Sequence, residues 1–467
     1  MNSATLTIWD ADACRRVHEA TLRVLAETGV EVKYPPALEI FRTLGASVDG
    51  TRVRIDSGLV EQALASAPRS WQLKPRGGDT APLILDNEHS YFGTGSDVLY
   101  VCDPDTHERR RVRKADVEGM AALCEKLPNI DFVMSMGLPE DAPQVIDDLA
   151  QVDAMLRGTR KPLLIAPRDG HVLGLMRDMA TVAGEAESFG IYAMPAPPLM
   201  HDEDGASKIV ACAELEIPLI YAPSPSAGST APASITAVIV VANAEVLSGL
   251  VLHQAVNPGA PFVWGVGVGC FNMKTMVEVY SSAGVFQGHQ AQSDLARYYG
   301  LPSFAYGGCT DSKGLDGQWA AEAALTAMLG GLSRATLIHD VGYLESGLQS
   351  SYESIVMGDE LVGYARAFMK PLPVDDEALA LDEIMAVGPG GNHLSRPYTR
   401  KHFRNIWQSD LFDTTVFDRW EKDGAKTLLD RLREKVAALR AEPRAFELEE
   451  WQVAELEQML KTAQDER

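Results

Sequence analysis

From Asp131 onward the chain alternates short apolar runs with segments of helical periodicity, and this alternation limits the fold more than any other feature. The runs cover 132–136, 162–166, 190–194, 217–222, 261–266, 302–305, 335–339 and 384–387. In the first intervening segment Val145, Leu149, Val152 and Leu156 fall on one helical face; in the fifth, Met276, Val279, Tyr280, Ala283 and Phe286 do the same. Pro162, Pro218, Pro261 and Pro302 end the preceding helix and pre-extend the chain into the run. Strands joined by crossover helices require a parallel sheet. Eight such units predict an α/β fold, a closed (β/α)8 TIM barrel, with an open doubly wound sheet as the alternative.

The flanks read differently. Residues 1–113 predict a small α+β extension: helices over 10–28, 36–44 and 57–67, a hairpin at Asp49-Gly50, and a strand-rich segment over 91–111. The barrel is expected over 114–410. Residues 411–467 predict a helical tail, with charge-laced helices over 425–441 and 446–463 that present solvated faces or a dimer contact. Trp407, Leu411, Phe412, Phe417 and Trp420 are expected to pack back on the barrel.

Charge narrows the partners. A net charge of −23 repels phosphates and argues against nucleic acid. The six cysteines show no CxxC pairing and read as reduced thiols, which points to the cytoplasm. The N-terminus MNSATLTIWDAD has no basic region followed by an apolar run, and the longest apolar stretches are interrupted, so neither a signal peptide nor a membrane helix is expected.

In a barrel, chemistry sits just past the C-terminal ends of the strands. There the chain places Arg168 after the second run, Phe271 after the fifth, Tyr306, Cys309 and Asp311 after the sixth, and His393 after the eighth. The seventh run ends in His339-Asp340, followed by Gly342, Tyr343 and Glu345. A purely structural reading, in which His339 and Asp340 cap a strand or helix, fits the spacing equally well. Several familiar signatures are missing. Gly265 to Gly269 is not a dinucleotide fingerprint, no GK[ST] follows Gly228, and GxSxG does not occur. Cys309, Asp311, His339 and His393 lack the close spacing that makes a zinc site specific, so no metal is expected.

Four segments, FGTGSDVLYVCDPDTHERR, ITAVIVVANAEVLSGLVLHQ, ARYYGLPSFAYGGCTDSKGLDGQ and IHDVGYLESGLQSSYESIVMGDELVGYAR, resemble the trimethylamine methyltransferase superfamily. The TDSKxxDxQ and HDxGxLExG blocks, in this order and separation, carry most of the resemblance, which runs from about residue 10 to the C-terminal helices. It implies a TIM barrel that passes a methyl group from an amine to the cobalt of a separate corrinoid (cobalamin) protein, with no cofactor in its own chain. The founding trimethylamine enzymes carry pyrrolysine. This sequence has only the twenty common residues and resembles the pyrrolysine-free branch, which demethylates quaternary amines such as glycine betaine.

A quaternary ammonium offers no hydrogen-bond donor and is held by aromatic faces and negative charge. The aromatic candidates are Phe92, Tyr100, Tyr306, Phe271 and Tyr343; Asp97, Asp311 and Glu345 supply charge. Arg168, His339 and His393 are candidates for a substrate carboxylate. His339, Glu345 and Asp311 are expected to be catalytic, and His339, Tyr343 and Glu345 to share a cavity with Asp311, Tyr306 and His393. Two other readings are a different barrel enzyme, such as a zinc-assisted methyltransferase or a lyase, and a non-catalytic binder of methylated amines. A homo-oligomer is expected.

Overall fold

The computed structural model describes residues 4–78, 80–265 and 267–466; Val266, which ends the 261–266 run, lies outside the described residues, as do the first three of the N-terminal segment. Its centre is a curled parallel sheet with helices packed outside it, an α/β fold of TIM-barrel type. We label the strands β1 (Tyr91–Thr94), β2 (Leu163–Ile165), β3 (Phe189–Ala193), β4 (Leu219–Tyr221), β5 (Phe262–Gly265), β6 (Ser303–Tyr306) and β7 (Leu337–Val341). Their order across the sheet is β1-β7-β6-β5-β4-β3-β2, with every pair parallel. Two isolated parallel bridges, Gly93 to Phe132 and Val133 to Leu163, link the edge strands β1 and β2 through the segment at 132–133.

Six of the eight apolar runs are strands of this sheet, and the run at 132–136 contributes the two bridging residues. The eighth assignment is corrected: residues 384–387 belong to an exposed helix, Leu381–Val387. Four apolar residues fit a strand and a helical turn equally well, so periodicity cannot separate them. The remaining strand is β1, which the sequence reading assigned to the extension. It pairs with β7, Leu337 to Tyr91 and Ile338 to Phe92.

The inner side of the sheet is filled by side chains. Leu164, Ile220, Val263, Phe304 and Leu337 form one buried cluster with Leu73, Leu83 and Leu85 of the two-stranded ribbon Trp71–Leu73 and Leu83–Leu85. Each such side chain contributes about 1.5–3 kcal/mol when removed from water. Lys74 N–H donates to Glu187 O and Arg76 N–H to Arg160 O, which ties the ribbon to the segments leading into β3 and β2. The ribbon therefore plugs the N-terminal end and leaves the other end of the strands open for a site.

Polar residues at the open end start the outer helices. Asp202 caps Glu203–Leu215, Ser234 caps Ile235–Val256, Ser282 caps Ala283–Tyr299, Asp316 caps Gly317–Ser333 and Ser351 caps Tyr352–Met369, each accepting an N–H of the first turn. Helix Ile235–Val256 is long and apolar enough to cross a membrane by length and composition, but most of it is buried inside the protein. It packs against Ala11–Arg23, Ser57–Ser66 and Glu203–Leu215. The tail packs back in part, with Phe412 set against the core. Leu411 is buried and Trp407 meets Tyr364 of the helix Tyr352–Met369 edge-on, while Phe417 is 67% exposed. Helix Leu428–Ala441 does pack back, on Tyr352–Met369.

Candidate active site

The open end holds a cavity of about 390 Å³. Its geometry begins in β7. Consecutive strand residues point to opposite faces, yet both His339 and Asp340 line the cavity. The cause is the backbone of Asp340, whose φ of 72° is left-handed and breaks the alternation. Gly342 follows at φ 97°, so the chain reverses as the sequence anticipates, and Tyr343 turns back over the cavity. Tyr343 and Leu344 then pair with Ser350 and Gln349. Ser354 Oγ donates to Gly342 O at 2.6 Å and pins the turn to the next helix.

His339 Nδ1 and Asp340 Oδ1 lie 2.6 Å apart, but they lack the alignment of a hydrogen bond, and Oδ1 is buried with no hydrogen-bond partner. The His339 ring stacks on Phe304 at 4.1 Å and meets Tyr192 at 5.8 Å. Across the cavity, Tyr306 sits 5.9 Å from Tyr280 and 4.0 Å from His289, edge-on to the latter. The Tyr306 hydroxyl donates to Tyr280 O at 2.7 Å, and that of Tyr343 to Ser96 O. Both hydroxyls are thus directed to backbone, and burial pushes both phenol pKa values well up, so they stay protonated.

Charge in the cavity is of one sign. Asp97, Glu278 and Asp340 line it, and among the described lining residues there is no lysine or arginine. Burial raises the Asp97 carboxyl to about 6, against the lowering effect of hydrogen bonds from Gln151, Ser135 and Ser96. Burial also raises Glu278. Burial lowers His289 to about 3, helped by His339, so its imidazole is neutral.

Of the residues expected to share this cavity, His339, Tyr343 and Tyr306 do so. Asp311 stands behind the wall. Its carboxylate accepts the N–H groups of Tyr280 and Ser281, both at 2.9 Å, and the Ser346 hydroxyl at 2.6 Å. The rest of the TDSKxxDxQ block is likewise framework. Glu322 accepts from the Thr310 hydroxyl at 2.6 Å and from Asp311 N–H at 2.9 Å, while Asp316 accepts from Ser312 and starts a helix.

Glu345 is corrected too. It pairs with Arg109 at 2.8 Å, and the Arg109 guanidinium lies 3.3 Å above the Tyr100 ring. Arginine, not substrate, occupies both Tyr100 and Glu345, and neither residue lines the cavity. Phe92 is fully buried in the core, because its side chain projects from within β1. Phe271 lies on Gly269–Asn272, off the lining. Arg168 is turned to Gln144 O at 2.7 Å and Asp147 at 2.8 Å. His393 is exposed in the tail, 3.9 Å from Glu383, since the segment before it, 384–387, is a helix outside the sheet. It therefore does not join Cys309, Asp311 and His339. Among the described residues, no group of three or more histidine, cysteine, aspartate or glutamate side chains is arranged to hold a metal ion.

Tyr192, Tyr280, Glu278 and His289 were not anticipated. Tyr192 lies within the apolar run at 190–194, where it reads as a core residue of a strand. Tyr280 reads as part of a helical stripe, but the chain forms a hairpin there, Gly269–Asn272 against Val277–Val279, and the helix begins at Ala283.

Comparison with known proteins bears on the family and the fold. The family model described as trimethylamine methyltransferase (MTTB) matches residues 1–466. The chain is 32% identical over 433 residues to a glycine betaine methyltransferase of Desulfitobacterium hafniense, covering 89% of this chain and 88% of that one. It is 30% identical over 459 residues to a trimethylamine methyltransferase MttB of the same species, covering 96% and 92%. Among solved structures, the monomethylamine methyltransferase MtmB of Methanosarcina barkeri aligns with a TM-score of 0.53 at 13% identity, over 93% of this chain and 89% of that one; it shares the fold. By the match of the family model along its length, the chain belongs to the trimethylamine methyltransferase family.

Proposed function

We propose that this protein transfers a methyl group from a quaternary or tertiary amine to the Co(I) of a separate corrinoid protein. The observation that carries the reading is a cavity at the C-terminal strand ends whose wall combines tyrosine faces with carboxylates and contains no lysine or arginine among its described residues. Such a wall suits a cation that cannot donate a hydrogen bond. The partner's cobalt supplies the nucleophile, which takes the methyl carbon while the C–N bonding pair leaves with the amine. The chain's own part is to bind and orient. Tyr306 and Tyr343 are held by their hydroxyl bonds, so their rings are fixed, and Tyr192 and Tyr280 complete the wall. A fixed methyl group in a cavity shielded from water is what an in-line displacement needs. A quaternary ammonium leaves as a neutral amine, so no proton need be delivered.

Further features belong to the same reading. The bridges at Phe132 and Val133 support closure of the sheet into a full eight-membered barrel over about 91–369, with the extension before it and the tail after it. In the tail Leu372, Leu394, Ile406 and Val416 are each at least 70% exposed, which favours a homo-oligomer in which a second copy covers them. Six free cysteines favour the cytoplasm. The test is incubation with a reduced corrinoid protein and a panel of methylated amines. Loss of the Co(I) absorbance with at least one of them is expected; no loss with any of them sinks the proposal.

A further inference from the structure

Three carboxylates reach the cavity from three separate elements: Asp97 from the loop after β1, Glu278 from the hairpin strand Val277–Val279, and Asp340 from β7. Asp340 is only 3% exposed; its Oδ1 lies 2.6 Å from His339 Nδ1 but receives no aligned hydrogen bond from the protein, so its acceptor capacity is not satisfied there. A cation with aromatic faces around it meets that need. A ligand carboxylate does not.

The basic side chains of the adjoining segments do not line the cavity and have partners outside it. Arg109 is held by Glu345 and Tyr100, Arg168 by Asp147, Lys208 by Pro167 O and Lys313 by Asp311 O. Of the two histidines in the wall, His289 is kept neutral by burial and His339 already lies against Asp340. Among the described lining residues no lysine or arginine is present to receive an anion, and Lys208 acts on Asp97 only as a charge from outside the lining. A betaine would have to place its carboxylate among the three already present, where like charges repel in a medium that screens them poorly. The cavity, at about 390 Å³, still has room for a substituent beyond the methylated nitrogen. The substituent that fits is uncharged and can donate a hydrogen bond to a carboxylate.

We infer that the preferred substrate is a quaternary ammonium with an uncharged, hydroxyl-bearing substituent, and that Asp97, Glu278 and Asp340 discriminate against amines that carry a carboxylate. This rests on the methyl-transfer reading above and separates the chain from its glycine betaine relative. The test is calorimetric titration of the full chain with choline, tetramethylammonium and glycine betaine, together with the cobalt methylation assay on the same three compounds. Choline is expected to bind at least about tenfold more tightly than glycine betaine. Asp97→Asn and Glu278→Gln are each expected to narrow that gap, by weakening choline or by strengthening glycine betaine. If glycine betaine binds as tightly as choline and methylates cobalt, the inference fails while the methyl-transfer reading stands. If none of the three binds or methylates cobalt, the inference fails, and the methyl-transfer reading is decided by the wider panel that includes tertiary amines.

Discussion

Gly95 and Tyr343 touch so closely that a Cβ on residue 95 would lie 2.1 Å from the Tyr343 ring carbon Cζ. The glycine in the FGTG segment therefore holds open the space in which an aromatic wall residue rests, and the adjacent Ser96 carbonyl takes its hydroxyl. Gly95→Ala is expected to push the ring out of place. The fold should survive, since the ring borders a cavity, but affinity for a quaternary ammonium should fall about tenfold or more. Tyr343→Leu should cost about 2 kcal/mol of cation binding, whereas Tyr343→Phe keeps the face and should cost less. Titration with tetramethylammonium checks all three; equal affinities across the series would remove Tyr343 from the site.

Asp311 acts at one remove. It holds two consecutive N–H groups, of Tyr280 and Ser281, together with the Ser346 hydroxyl, so it joins the hairpin side of the cavity to the turn after Tyr343. Asp311→Ala leaves those donors without their acceptor, at about 1–3 kcal/mol for each that stays buried. A lower thermal midpoint and weakened cation binding are expected together. Weaker binding with an unchanged midpoint would instead place Asp311 in contact with ligand.

Much of this architecture was legible in the sequence, and the misses have physical causes. Strand runs bounded by proline were readable because burial on both faces leaves a continuous apolar string. The last run, 384–387, carried the same signal on a helix, while Tyr91–Thr94, with a glycine and a threonine in four residues, carried a weaker one. Taking one for the other set the expected barrel a whole unit further along the chain than the curled sheet. At the site, His339, Tyr306 and Tyr343 followed from strand ends alone. Arg109 could not be foreseen as the partner of Glu345 and Tyr100, because 236 residues separate Arg109 from Glu345 and only the folded chain brings them together. Acidic and aromatic residue types identified the chemistry of the site; which of them face the cavity depended on left-handed backbone at Asp340 and on the hairpin before Ala283.

Glu345→Gln illustrates the difference. The sequence reading expects it to weaken methyl transfer directly. Its carboxylate instead meets Arg109, whose side chain is 42% exposed, and a pair so open to solvent contributes at most about 1 kcal/mol. Cation affinity is expected to stay within about twofold of the parent. Titration with tetramethylammonium measures it, and a tenfold loss would return Glu345 to the binding wall.

The pH dependence of binding follows from Asp97. Its carboxyl is raised from 3.8 to about 6 by burial, so the empty folded chain holds this proton more tightly than the unfolded chain does. The sign for folding follows directly. Asp97 contributes stability that is fully present below 3.8 and is lost as the pH rises through about 6. A bound cation works in the opposite sense, because it favours the ionised carboxylate and brings the pKa back down. Binding near pH 6 must then release a proton, and affinity must rise with pH through that region and level off above it. Glu278 is raised in the same direction and adds to the slope. Asp97→Asn removes the larger part of the pH dependence and stabilises the empty protein above about pH 6. Titrations with tetramethylammonium from about pH 5 to about pH 8, in buffers of different ionisation enthalpy, read both the slope and the proton count. An affinity that is flat across this range in the parent protein, or an equal slope in the Asp97→Asn variant, would show that the cation does not sit beside Asp97.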